Sequence, residues 1–278
     1  MASITVIEAG YHSTIQDRGR WSYRDIGVPI SGVMDQDMAG LANQLLRNHE
    51  DDAVLEMTLK GATLLFDAPA YIAVTSMELW INENPVRHNT VQRIRIGDVV
   101  RLGITTAGNY GYLAIKNGFK TPLILGSRSM MKAVTSHFKI NKSDHLPYDS
   151  FNDKINQLNL NHEQGHVSFV LKAYPGPEWH QLDRTTQEQL LTQSFKLTSQ
   201  SNRMAFKAMC AVKNPLGSIA SSPVLPGTIQ WIPSNDLLIL MRDAQTTGGY
   251  PRILQLTEES INILSQLDHK NEFSLVII

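Results

Sequence analysis

Short runs of apolar residues, rich in Val, Ile, Leu and Tyr, recur along most of the chain. They predict strands at 4–7, 54–57, 63–66, 71–74, 79–81, 91–96, 99–102 and 110–115. Turn residues separate them, as in Asn82-Glu83-Asn84-Pro85, Gly97-Asp98 and Gly103. A second series follows at 167–173, 195–198, 228–231, 237–241, 253–256 and 273–277. Helical spacing is rarer. Asp35 is placed to cap a helix through Met38, Leu41, Ala42, Leu45 and Leu46, and a second helix lies near 185–192. A third, at 258–267, opens on two acids that suit its positive N-terminal dipole. Many short strands with little helix between them point to barrels or sandwiches, not to a parallel sheet of βαβ units. Between Lys139 and His166 the composition shifts to Asn, Asp, Gln, Lys and His. A domain boundary is therefore placed near residue 155, giving lobes at 1–155 and 156–278. No sequence repeat relates the two halves.

With 278 residues and 42% hydrophobic content, the chain can bury one large core or two modest ones. Its net charge of −1 lacks the basic excess of a general nucleic-acid binder, but leaves room for a local anion site. Cys210 is the sole cysteine, so no intrachain disulfide forms, which fits a reducing compartment. Residues 1–10 do not read as a signal peptide, and no apolar run is long enough for a bilayer. The expectation is a soluble cytoplasmic globular protein.

Several familiar chemical signatures are missing: a Walker A loop, a GxGxxG turn, a GxSxG elbow, and the Ala-Met-Lys-Met sequence that carries biotin. His162-Glu163-Gln164-Gly165-His166 matches HExxH, but Asn-rich chain precedes it and a strand-like run follows. A helix there has no apolar face to bury, so the match reads as a solvated loop entering a strand, and no metal ligands are assigned. Three polar clusters carry more weight. In Thr14–Arg20, Arg18 and Arg20 suit an anion while Gln16 and Asp17 suit an amide; a hydrogen-bonded turn explains the same residues, and composition by itself favours the turn. In Leu125–Ser129, a small-residue turn with Ser127 and Arg128 reads equally as an anion site or an ordinary loop. The third, Asp243–Arg252, follows an apolar strand. Thr246, Thr247, Gly248 and Gly249 offer a donor-rich nest beside Gln245, Tyr250 and Arg252, and Asp243 is a candidate base or orienting acceptor; the competing reading is a glycine hairpin loop. Glu56 within an apolar run calls for a partner of either kind. Cys210 reads as a small core residue.

Taken together, these clusters resemble the family of 5-oxoprolinase C-type subunits and biotin-dependent carboxyltransferases. That family includes domains like the second subunit of allophanate hydrolase and antagonists of a sporulation-kinase inhibitor. The matching stretches are colinear: 14–20, 27–35, Asn43, 55–58, Gly61, 112–114, 125–129, 174–177, 201–204, 225–230 and 243–252. The chain departs from the family pattern at Lys116-Asn117-Gly118, at Ala205 and after Ser129. The resemblance implies a mainly β fold of two cyclophilin-like β-barrel lobes with a cleft between them and a few short helices. It implies work with a B-type 5-oxoprolinase partner to activate 5-oxoproline with ATP, with Mg²⁺, before an A-type partner completes hydrolysis to glutamate. Asp243, Asp17 and Arg252 are then the candidate catalytic groups. Gln16, Arg18, Arg20, Ser31, Asp35, Ser127, Arg128, Gln245, Thr246, Thr247, Gly248, Gly249 and Tyr250 are the candidate substrate- and nucleotide-binding groups. The same resemblance carries two alternatives. One is carboxyl transfer to a urea-like amide from biotin on a separate protein; the other is a non-catalytic antagonist of a kinase-inhibitor protein.

Overall fold

A computed structural model describes residues 2–155 and 169–278. The HExxH match at 162–166 lies outside the described residues. Two compact units emerge. Residues 2–20 and 31–155 fall in the first, and 21–30 and 169–278 in the second. The fold is mainly β.

The first unit holds two sheets. One runs in the order His145–Tyr148, Ala2–Glu8, Thr63–Phe66, Val99–Thr105, Met77–Ile81, Asn84–Val86. The other runs His12–Gln16, Val54–Thr58, Tyr110–Ile115, Ala70–Thr75, Val91–Ile94. Leu55, Met57, Leu64, Phe66, Ile72, Val74, Val100 and Leu113 share a single core. Tyr110–Ile115 and Ala70–Thr75 are buried at every position, which explains their continuous apolar runs. Helix α1, Gln36–Leu45, packs against these two strands and buries Ala39, Leu41, Ala42 and Leu45. It starts where predicted: the Asp35 side chain accepts from the Asp37 and Met38 amides, satisfying two orphan donors of the first turn.

The second unit is a closed barrel. Its order is Val170–Pro175, Arg252–Leu256, Thr228–Trp231, Leu237–Leu240, Ala205–Met209, Phe195–Leu197, Glu272–Ile277, closing back on the first strand. Phe195 and Phe273 stack inside it at 5.4 Å between ring centroids. Helix α2, Arg184–Thr192, is capped by Asp183, and helix α3, Glu258–Ser265, by Thr257. The Ser260 hydroxyl of α3 also accepts from Lys172 N at 2.8 Å, tying that helix to the barrel.

Several strands lie outside the pattern-based reading, including Asn84–Val86, read as part of a turn, and His145–Tyr148, read as part of a linker. Residues 14–16 are not a turn but the end of His12–Gln16, whose polar side chains at 13, 14 and 16 are buried. Ala205–Met209 carries the alternation of Phe206 and Ala208 inward, which is too short a signal to stand out. Among the described residues no helix is long and apolar enough to cross a membrane.

Candidate functional site

In the first unit, Asp17 organises the site. Its Oδ1 accepts from Ser127 Oγ at 2.7 Å, Ser129 Oγ at 2.6 Å and Gly19 N at 2.8 Å. Its Oδ2 accepts from Arg128 N at 2.6 Å. The sequence clusters 14–20 and 125–129 are thus one structure, joined through a single carboxylate. The 124–127 segment is a tight turn with both central residues left-handed, Leu125 at φ 51° and Gly126 at φ 75°, closed by paired bonds between Ile124 and Ser127. Arg20 is buried, donating to Ser31 Oγ at 3.0 Å and to the Ser129 carbonyl. Arg128 donates to the Thr121 carbonyl. Arg18 instead sits at the surface, 2.7 Å from Glu50.

Gln16 is fully buried. Its Nε2 donates to Thr14 Oγ1 at 3.1 Å and to Met130 O at 2.9 Å. The Met130 carbonyl can only accept, so the group facing it is the amide NH2, which fixes the amide's orientation. Gln16 Oε1 is left buried, with no hydrogen-bond donor among the described residues.

The 30–35 turn packs on the 17–19 turn. Val33 N donates to Asp17 O at 3.0 Å, and a Cβ at Gly32, φ 91°, would press on the backbone of Asp17 and Arg18. Ser31 is itself left-handed at φ 61°. Asp35 serves the helix cap, and its amide donates to Tyr112 Oη at 2.8 Å. Glu56 accepts from Met34 N at 2.6 Å, so this buried carboxylate holds the turn. Burial first, then the Glu56 and Asp35 charges, push the Tyr112 hydroxyl well above the ordinary phenol range.

Gln16, Asp17, Arg18, Val33, Gln36, Asp37, Ala39, Gly40, Asn43, Glu50, Asp52 and Val54 line a pocket of about 200 Å³. All belong to the first unit.

In the second unit, Asp243 is gripped by both arms of Arg203, with Nε–Oδ2 at 2.9 Å and Nη2–Oδ1 at 3.0 Å. Arg252 is gripped by Glu178, with Nε–Oε2 at 3.0 Å and Nη2–Oε1 at 2.8 Å, and its Nη1 reaches Pro223 O at 3.0 Å. These bonds hold the Glu178 carboxyl below the usual range. Thr246–Gly249 does not form a nest. Thr247–Gly248 is extended and pairs with Ser222–Pro223, and neither glycine has a positive φ. Gly248 leaves room for a neighbouring side chain: a Cβ there would lie 2.5 Å from Gln230 Nε2. The carbonyls of Thr246 and Gly249 accept from Val224 N and Ile219 N. Gln245 is partly buried, and Tyr250 is exposed with its carbonyl accepting from Gln230 Nε2 at 3.2 Å.

Residues 26–276 match the family model for the carboxyltransferase domain, subdomains A and B. The chain is also 30% identical to the C-type 5-oxoprolinase subunit of Escherichia coli over 95% of its own length and 87% of that protein. This chain belongs to the carboxyltransferase domain family. The urea amidolyase of Lachancea kluyveri is 37% identical over 127 residues, 45% of this chain and 7% of that protein. The crystal structure of TTHA0988 superposes with a TM-score of 0.90 at 22% identity; it covers 99% of this chain, which spans 55% of that one.

This carboxyltransferase-domain chain uses some of its expected site residues as internal ties and brings in others that sequence reasoning missed. Gln36, Gly40, Glu50 and Asp52 enter the pocket wall. Gly40 was the legible signal among them, because a glycine inside a helix costs roughly 1 kcal/mol against alanine and calls for a reason. Cys210 is half-buried, and burial pushes its thiol up, which keeps it protonated and unsuited to attack.

Proposed function

We propose that this chain is the C-type component of an ATP-dependent 5-oxoprolinase, acting with a B-type partner to activate 5-oxoproline before an A-type partner completes its hydrolysis to glutamate. The observation that carries this reading is 30% identity to the Escherichia coli protein over 95% of the chain. The chemistry is consistent with it. A lactam carbonyl is a weak electrophile at neutral pH. Transfer of the γ-phosphoryl group of ATP to the lactam oxygen, with loss of the ring N–H proton to a base, releases ADP and leaves a phosphate leaving group on an imidate carbon. Developing negative charge on oxygen calls for preorganised donors. In this reading Asp243, held and oriented by Arg203, is the acceptor for the amide proton. Asp17 and Arg252 act as positioning residues: Asp17 Oδ1 already accepts three bonds and Arg252 is engaged by Glu178 and Pro223, whereas each Asp243 oxygen accepts one bond from Arg203 and keeps a second lone pair. Among the described residues no group of three or more His, Cys, Asp or Glu is placed to hold a metal ion.

The test is co-expression with the B-type and A-type partners, followed by ADP and glutamate release with and without 5-oxoproline. The reading expects 5-oxoproline to stimulate ATP hydrolysis by the assembled complex beyond any of its components alone; equal rates with and without it refute the reading. Local similarity to a urea amidolyase supports a second reading, carboxyl transfer from a biotin carrier to a urea-like amide. In that case turnover requires bicarbonate and a biotinylated protein, and avidin abolishes it.

A further inference from the structure

We infer that residues 122–139 of the first unit are the surface on which a partner polypeptide docks, one that presents an apolar groove with an acidic rim; naming that partner as the B-type component rests on the 5-oxoprolinase reading above. Pro122, Leu123, Ile124, Leu125 and Gly126 are exposed in succession, Leu123 to 58% and Ile124 and Leu125 to 37% each. The turn is held rigid at its base. Ser127, Ser129 and the Arg128 amide donate to buried Asp17, and the Arg128 guanidinium donates to the Thr121 carbonyl across the base. Leu125 stands at φ 51°, a backbone region unfavourable to a bulky side chain. The free chain gains neither packing nor backbone ease from a leucine there. A rigid apolar tip loses little freedom on binding, which is the property of an interface anchor.

A second loop adjoins the tip. Met130 N donates to Ile15 O at 2.8 Å and Ile140 N to Ser13 O at 2.9 Å, so residues 131–139 leave and re-enter beside one strand. This loop exposes Phe138 together with Lys132 and Lys139. From Lys116 to Lys142 the chain carries six Lys and Arg residues and no Asp or Glu, in a protein of net charge −1. Lys116, Lys120 and Arg128 donate to backbone carbonyls of this chain. Lys132, Lys139 and Lys142 are exposed and meet no acid among the described residues. Their complement is a rim of carboxylates. Two other occupants fit less well. A two-fold pair sets the same patch, lysines included, against itself and buries roughly a few hundred Å², short of the about 1,200 Å² of a stable interface. Three such lysines also fall short of the about four to eight that hold an anionic membrane.

The test measures binding of the purified B-type partner to the full chain by isothermal titration. Leu123→Asp is expected to raise Kd about thirtyfold or more. Leu125→Gly removes the strain, so its thermal midpoint should equal or exceed that of the parent while Kd rises about tenfold. Lys132→Glu combined with Lys139→Glu should weaken binding and remove most of its dependence on NaCl. Ile96→Asp, at an exposed turn elsewhere in the same unit, should leave Kd within about twofold. An unchanged Kd in Leu123→Asp and Leu125→Gly, or an equal rise in Ile96→Asp, overturns the inference while the 5-oxoprolinase reading keeps its own turnover assay. A parent chain that does not bind the B-type partner takes the reading down and the inference with it. The inference is also overturned if the partner's Kd is unchanged and Leu123→Asp instead dissociates a dimer of this chain, or abolishes its co-sedimentation with phosphatidylserine vesicles.

Discussion

The Arg203–Asp243 pair joins two segments 40 residues apart in sequence, and its strength can be worked from the geometry. Two charge-assisted bonds, at 2.9 and 3.0 Å, link side chains that are 11% and 10% exposed. The backbones on either side are also zipped, Asp243 N to Arg203 O at 2.9 Å and Met241 N to Met204 O at 2.9 Å. Removing one member leaves the other buried and uncompensated, which costs about 3–5 kcal/mol. Removing both leaves no stranded charge. Arg203→Ala and Asp243→Ala should therefore each cost about 3–5 kcal/mol, and the double variant little more than either, for a coupling of about 2–4 kcal/mol. The second unit can be monitored by itself. A Trp80→Phe background leaves Trp21, Trp179 and Trp231, all of which belong to that unit. Urea unfolding followed by their fluorescence supplies the cycle. Additive losses, with coupling below about 0.5 kcal/mol, would refute the claim that the fork is a desolvated pair. The functional arm is Asp243→Asn, which faces the guanidinium with an N–H and should abolish ATP-dependent turnover of the complex. Unchanged turnover removes Asp243 from the mechanism.

Arg252 holds Glu178 below the ordinary carboxylate range, so the unfolded chain takes up that proton more readily. The stability from the pair is complete above the unfolded value and drains as pH falls through the depressed native one. The stability difference between the parent and Glu178→Gln should therefore shrink as urea melts move from about pH 6 down to about pH 3; a difference that does not change with pH refutes it. Asp17→Asn puts an N–H where Arg128 N or the serine hydroxyls donate, and should cost about 2–4 kcal/mol, read from Trp80 in the first unit; a loss under about 1 kcal/mol contradicts the network. Cys210→Ser should leave turnover unchanged, and the native thiol should alkylate more slowly at about pH 8 than in the urea-unfolded chain; equal alkylation rates would show that burial does not raise it.

Much of the scaffold is legible in the apolar pattern. The strands at 63–66, 110–115 and 228–231 match their apolar runs residue for residue, and Asp35 caps α1 as its position before that helix suggested. The site was less legible, for a physical reason. His12–Gln16 is a strand in which Gln16 donates to Met130, and Asp17 just past its end donates to Ser129, both more than a hundred residues away, so no local periodicity marks it. The clusters 14–20 and 125–129 look independent until Asp17 joins them. The glycine run at 248–249 suggested donors for an anion, whereas Gly248 makes room for Gln230, a residue contributed by another strand. Long-range polar ties are what a linear pattern omits, and this site is built from them.

Those ties also rank the arginines. Arg20 and Arg128 donate to backbone carbonyls, and Arg252 is clamped by a carboxylate that is 10% exposed. Releasing any of them strands a polar group in a shielded place, at a cost of roughly one to several kcal/mol. Arg18 and Glu50 are 41% and 68% exposed, and water replaces either partner for about 1 kcal/mol or less. The cation most readily handed to an incoming carboxylate is thus the one already in the pocket wall. Substitution of Arg18 therefore tests for ligand contact with little confusion from folding, whereas substitution of Arg20 or Arg252 perturbs the scaffold first.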